Sequence, residues 1–282
     1  MIEWWQHIPE TLDPVVYTIG SFSLYWYALW FLLGFLVVWF LALWLARRKD
    51  APCSEESSTS LLFVLFLGAL IGGRIGYALF YYPDLFWSTP FLIVSPYDFH
   101  RGVWVGISGM SYHGGLLGVA LALYWFTRRE KISFWQTADF VAFLAPIAVF
   151  FGRLGNFFNV ELPGRITTQP WGMLFPGTFP EGVLRHPSTL YASFLEGIVL
   201  FVVLLIARKK MPFSGALTCL YLALYAIARF LGELFRRPDP QVGFFFGVLT
   251  LGQLFSLFML SISFWIYIWL RRKNYVIIQK SV

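Results

Sequence analysis

Seven long apolar runs set the limits on what this chain can become, at about 20–46, 60–82, 103–126, 135–158, 188–207, 214–235 and 243–270. As a helix, each run is long enough to cross roughly 30 Å of hydrocarbon. Glycines at 102, 106, 109, 114, 115 and 118 interrupt the third. The chain has no soluble domain, no long low-complexity linker, and no internal repeat of the kind that builds a transporter from inverted halves. The fold expected is an all-α integral membrane protein with seven transmembrane helices, forming a single domain over residues 1–282.

Charge supports this reading and supplies an orientation. Only 13% of residues are charged, against about 25% in soluble domains. Aromatic residues make up 21%, which suits wide belts at both membrane interfaces. The net charge of +6 falls in short clusters between apolar runs, so it reflects topology and excludes a nucleic-acid surface. Arg47-Arg48-Lys49, Arg128-Arg129 with Lys131, Arg208-Lys209-Lys210 and Arg271-Arg272-Lys273 follow runs one, three, five and seven. They share one side, which the positive-inside rule makes the cytoplasm. The expected topology is N-out and C-in, with an outward-facing arm and head segment at about 159–187. The acidic start, with Glu3, Glu10 and Asp13, is not a cleavable signal peptide. Cys53 and Cys219 form neither a disulfide framework nor a metal site.

All six lysines are cytoplasmic in this topology. The basic residues within spans or on the outer side are all arginine: Arg74, Arg101, Arg153, Arg165, Arg185, Arg229, Arg236 and Arg237. The guanidinium fork matches phosphate bidentately, where lysine is a point charge. The split therefore points to an anionic ligand in the outer half, such as a phospholipid headgroup. Arg229 and Glu233 share one helix face at a spacing of four and can pair. Glu196 neutralises a nearby arginine. Asp139, in the first turn of run four, favours the positive helix end, and His186-Pro187-Ser188-Thr189 caps run five.

The densest polar stretch is Gly152-Arg153-Leu154-Gly155-Asn156-Phe157-Phe158-Asn159-Val160-Glu161-Leu162-Pro163-Gly164. It ends a run that is apolar from Phe140 to Phe151, where polar groups are costly unless paired or bound. Gly152 and Gly155 allow close approach of a backbone or ligand, and Gly164 after Pro163 marks a turn out of the helix. This stretch resembles the signature of the bacterial prolipoprotein diacylglyceryl transferases, G-R-x-G-N-F-x-N-x-E-x-x-G, at every fixed position. Tyr112-His113-Gly114-Gly115, the Arg229/Glu233 pair and the whole span pattern are similar to that family as well.

The resemblance implies an enzyme of the bacterial inner membrane with its site toward the outer side. It would move the diacylglyceryl group of phosphatidylglycerol onto the lipobox cysteine thiol of a preprolipoprotein, releasing glycerol phosphate. It would act as a monomer without metal or soluble cofactor. Arg153, with Arg229, would hold the phosphate, and Asn156 would orient the headgroup. Glu161 and Gly164 would shape the outer loop, and Tyr27 would line the lipid-side pocket. His113 and Glu233 are candidates for assisting thiol deprotonation. A lipid transporter or flippase is the alternative reading; it predicts polar groups spread through both leaflets.

Overall fold

The structure, a computed structural model, describes residues 2–20, 22–81, 83–93, 95, 97–98, 102–104, 110–238, 244–245 and 247–280. Arg101, Gly106, Gly109, Asp239, Gln241 and the first residue of the seventh predicted run lie outside the described residues. Seven long helical segments carry the chain. They are α1 (Trp26–Arg47), α2 (Glu55–Tyr81), α3 (Tyr112–Glu130), α4 (Phe134–Phe158), α5 (Ser188–Lys210), α6 (Ala216–Gly232) and α7 (Leu251–Lys280). Five of them, α1, α2, α4, α5 and α7, are long and apolar enough among the described residues to cross a membrane. Helix α6 is apolar but has only 17 residues.

Two predicted starts move for local reasons. Run one was expected to begin at residue 20, but Val15–Ile19 pairs with Phe22–Tyr25 around Gly20, which has φ of 60°, and the helix begins at Trp26. Run three was expected from residue 103. Val103–Trp104 instead pairs with Tyr97–Asp98, and Ser111 caps the helix by accepting from the Gly114 N–H at 3.3 Å.

The chain divides into two compact units, residues 17–24 with 39–138, and residues 1–16, 25–38 and 139–282. In the first of these, α2 and α3 meet along glycines. A Cβ on Gly76 would come within 2.8 Å of the Gly114 Cα, and one on Gly72 within 2.8 Å of the Gly118 Cα. Without a hydrophobic force between helices in lipid, such close backbone packing supplies the association.

In the other unit α4 is central. The N-terminal half of α1 lies on it, with Gly34 against Phe151 and the Trp30 ring tilted against Phe151 and Phe158 at 6.1 and 5.1 Å. Asp139 is the sixth residue of α4 and does not serve that helix's own end. Its carboxylate accepts from Gly215 N at 2.6 Å and from the Thr218 N and hydroxyl at 2.7 Å, capping α6. The free N–H groups of a helix start need such acceptors, and Gly215 offers no side chain to supply one. Within α5, residues Ser193–Val199 form a π-helical segment between α-helical turns. Pro187 starts α5 without a side-chain cap; the Ser188 hydroxyl donates to Leu162 O at 2.8 Å instead. The predicted cap therefore fails, because the serine is spent on a neighbouring turn.

Residues 159–187 are stitched by backbone bonds rather than by long elements. Gly164 N donates to His186 O at 3.0 Å, Arg165 N to Phe235 O at 2.8 Å, and Met173 and Arg185 exchange bonds at 2.8 Å. Phe157, Met173 and Phe175 form a small core under this segment, covered by Trp5, Ile8 and Leu12 from the short N-terminal helices.

Candidate anion site

The charged residues of the larger unit converge where α4 and α6 end and α5 and α7 begin. Arg153, in the penultimate turn of α4, donates from Nε and Nη2 to the same Glu196 oxygen at 3.1 and 3.0 Å. Glu196 is fully buried in the π-helical segment. Its other oxygen has only Arg229 Nη1, at 3.9 Å. A π-helical turn often marks a functional place in a helix; here it carries a buried carboxylate shared by Arg153 and Arg229. Arg229 also pairs with Glu233, four residues on, as the spacing predicts. Arg236 lies 3.5 Å from the same Glu233 oxygen.

Glu233 is held from the far side too. The Thr250 hydroxyl donates to its Oε2 at 2.8 Å. Thr250 and Gln253 form a capping box at the start of α7, with bonds of 3.0 and 3.2 Å. Gly252 makes room, since a Cβ there would sit 2.7 Å from the Glu233 carboxyl carbon. The network therefore sets three guanidiniums against two buried carboxylates, a net charge of +1. Its three arginines line a small open cavity together with Leu162, Ser188, Thr189, Ala192 and Gly232. Buried cations are costly unless paired, so a cavity lined by three arginines suits an anion.

The rest of the signature forms a second network. Asn156 Nδ2 and Asn159 Nδ2 donate to the two oxygens of Glu161 at 2.9 and 3.2 Å. Asn159 Oδ1 accepts the Tyr27 N–H at 3.0 Å, tying the start of α1 to the end of α4. Tyr27 packs on Gly155, where a Cβ would come within 3.0 Å of its ring, and it lies within electrostatic reach of both Glu161 and Arg153. The backbone leaves the helix through Val160 and Leu162, with φ of 56° and 55°. A β-branched residue in that region is strained, and such strain gathers at functional sites.

Several expectations change at this level. Gly164 is not the turn; it lies six residues past the helix and is walled by His186 O and by Phe235 O, 2.7 Å from where a Cβ would stand. Nothing described lies within 4 Å of a Cβ on Gly152, so close approach belongs to Gly155 alone. The eight arginines also do not all face one ligand. Arg165 donates to the carbonyls of Arg236 and Glu233 at 2.9 and 3.3 Å, and buried Arg185 to those of Gly164 and Phe179 at 3.4 and 2.8 Å. Arg74 donates to Ile93 O at 2.9 Å. A guanidinium has five donors, and these three use theirs to hold chain segments in place. Arg101 lies outside the described residues. His113 stands in the first turn of α3, in the other unit, and its side chain lies outside the described residues.

Sequence reasoning passed over Thr189 and Thr250. The capping-box spacing Thr250–Gln253 was a usable signal for the second. The first stood in the sequence only as part of the expected cap of run five.

Comparison with known proteins shows the family. The model of the prolipoprotein diacylglyceryl transferase family matches residues 14–269. Among curated relatives, the phosphatidylglycerol–prolipoprotein diacylglyceryl transferase of Chlorobaculum tepidum is 42% identical, over 96% of this chain and 94% of its own. The enzyme of that name from Vibrio campbellii is 45% identical, over 93% of this chain and 92% of its own. The Serratia proteamaculans enzyme is 43% identical, over 93% and 94%. A match of this extent makes the chain a member of the prolipoprotein diacylglyceryl transferase family.

Proposed function

We propose that this protein transfers the diacylglyceryl group of phosphatidylglycerol to the lipobox cysteine thiol of a prolipoprotein. The observation that carries this reading is the cavity whose three arginines exceed their buried carboxylates by one charge. A phosphodiester supplies the matching single negative charge. In the reaction the cysteine sulfur attacks the glyceryl carbon next to the phosphate. A C–S bond forms, the C–O bond breaks, and its electron pair leaves on glycerol phosphate. The thiol proton must go elsewhere first, because the thiolate is the nucleophile.

Arg153 and Arg229 hold the phosphate, and their charge counts most as negative charge grows on the leaving oxygens. Glu196 and Glu233 fix those guanidiniums in place. Both Glu233 oxygens are engaged, which favours orientation over proton transfer for that residue. For thiol deprotonation His113 stays a candidate supplied by the family resemblance alone. Asn156, through Glu161, orients the headgroup beside Tyr27, and Gly164 lets the outer segment close over the site. No feature of the family match favours a transporter or flippase.

The chain is read as a monomeric single domain of seven spans in the bacterial inner membrane, N-out and C-in, with the site toward the outer face. The charged cluster joins the helix ends that this topology puts outside. Arg47, Lys210 and Arg271 stand at or near the opposite ends of α1, α5 and α7. The test is to incubate purified protein in detergent with phosphatidylglycerol and a lipobox peptide. Lipidated peptide and glycerol phosphate should appear in equal amounts. Absence of both, from protein shown to be folded, would sink the assignment.

A further inference from the structure

Thr189 has a buried hydroxyl for which the protein provides nothing. The residue is 4% exposed, and its Oγ1 has no hydrogen-bond partner among the described residues. It nevertheless lines the cavity shared by Arg153, Arg229 and Arg236. Buried hydroxyls are normally satisfied, and one that is not calls for an explanation. Its surroundings narrow the explanation. The arginines only donate hydrogen bonds, and Leu162, Ala192 and Gly232 offer no polar side chain. Ser188 has given its hydrogen to Leu162 O. The cavity is thus rich in donors for a phosphate. Its side-chain acceptors for anything attached to it are the hydroxyl oxygens of Ser188 and Thr189, of which that of Thr189 has no bond among the described residues.

Phosphatidylglycerol carries such a group, since its headgroup glycerol has two free hydroxyls beside the phosphate. We infer that Thr189 is a specificity-determining residue, whose oxygen accepts a hydrogen bond from a headgroup glycerol hydroxyl while the arginines hold the phosphate. The register of α5 supports this. Thr189 and Ala192, three residues apart in the first α-helical turns, both line the cavity. Glu196 anchors the arginines further along the helix, and Thr189 stands toward its start. The inference rests on the phosphatidylglycerol transferase reading.

The experiment compares phosphatidylglycerol with phosphatidylethanol, an anionic phosphodiester of equal charge with no headgroup hydroxyl. Each lipid competes against labelled phosphatidylglycerol for the purified protein, so a lipid must bind but need not react. Turnover of the wild type is measured in the same preparation. Wild type should prefer phosphatidylglycerol by about fivefold to tenfold, the range of one hydrogen bond. Thr189→Val, which keeps the shape and removes the hydroxyl, should bring the two lipids within about twofold by weakening phosphatidylglycerol alone. Thr189→Ser should keep the preference, and it guards against a fold effect of valine. Equal weakening of both lipids by the valine variant would assign the hydroxyl to the phosphate or the scaffold and overturn the inference. An unchanged preference would overturn it as well. If wild type turns over phosphatidylglycerol in either case, the transferase reading stands; if it does not, both fall.

Discussion

Glu196→Gln isolates what the buried carboxylate does for the two arginines. Glutamine keeps the volume and one carbonyl acceptor but removes the charge. In the native protein Glu196 Oε2 takes two charge-assisted bonds from Arg153, at 3.1 and 3.0 Å, with no solvent exposure on the glutamate side. A charge-assisted bond contributes about 1.5–3 kcal/mol and a neutral one about 0.5–1.5 kcal/mol, so two weakened bonds lose roughly 2–3 kcal/mol. The cluster's net charge rises from +1 to +2 at the same time, because one of its two carboxylates is gone. Attraction for an anionic lipid should persist, whereas the alignment of Arg153 and Arg229 should not. The expected result is a kcat lowered about tenfold to a hundredfold, a KM for phosphatidylglycerol unchanged or lower, and a reduced melting temperature. The assay is steady-state lipidation of a lipobox peptide in detergent, with thermal unfolding followed in parallel. A kcat within about twofold of wild type together with a raised KM would refute the reasoning. It would mean that Glu196 serves lipid binding and leaves arginine geometry alone.

Arg153→Lys keeps the charge but cannot reproduce two bonds to one oxygen, so turnover should fall at least about tenfold, while exposed Arg237→Lys stays within about twofold; equal activity of the two variants would count against an arginine-specific role. Gly164→Ala places a Cβ against two carbonyl oxygens and should cost roughly 1–3 kcal/mol, read as a lower melting temperature with loss of turnover; a stable, active alanine variant would show that the outer segment can shift. His186 is held below its ordinary pKa by burial. The unfolded chain therefore takes up the proton first, and stability should be full above about pH 6.5 and decline as the pH falls below it; the decline should flatten in His186→Phe, and an unchanged slope would place it elsewhere. Reporter fusions after Lys49, Lys131, Lys210 and Lys273 should report cytoplasm, and one near residue 175 the outside; a cytoplasmic signal at 175 would invert the topology.

What the sequence disclosed depended on how local the cause was. Apolar runs dictate helices wherever water is absent, so all seven helical segments among the described residues were legible. Short hairpins delayed the starts of the first and third, while polar helix-forming turns lengthened the second at its start and the seventh at its end. The Arg229–Glu233 pair was legible because a spacing of four is enforced by the helix itself. The partnership of Arg153 with Glu196 spans 43 residues, and only the need to neutralise Glu196 hinted at it. Asp139 was misread because its partners, Gly215 and Thr218, lie 76 and 79 residues away and nothing in its own turn announces them. The arginines show the same limit. Residue type said that they suit phosphate, but Arg165 and Arg185 meet backbone carbonyls supplied by folding.

The first dozen residues are fastened to a part of the chain made much later. Trp5 donates to Trp171 O and Gln6 to Pro170 O, both at 2.9 Å, across separations of 166 and 164 residues. Chains emerge from the ribosome N-terminus first, at about 5–20 residues per second. The short N-terminal helices must therefore wait on the order of ten seconds for the segment they cover. Glu233 and Thr250, which complete the anion site, arrive later still. The early helices can thus be inserted and held by neighbours long before any arginine has its final partner. Anion binding is therefore among the last properties this molecule acquires, and a ribosome stalled before residue 250 would carry a membrane-inserted chain with half a site.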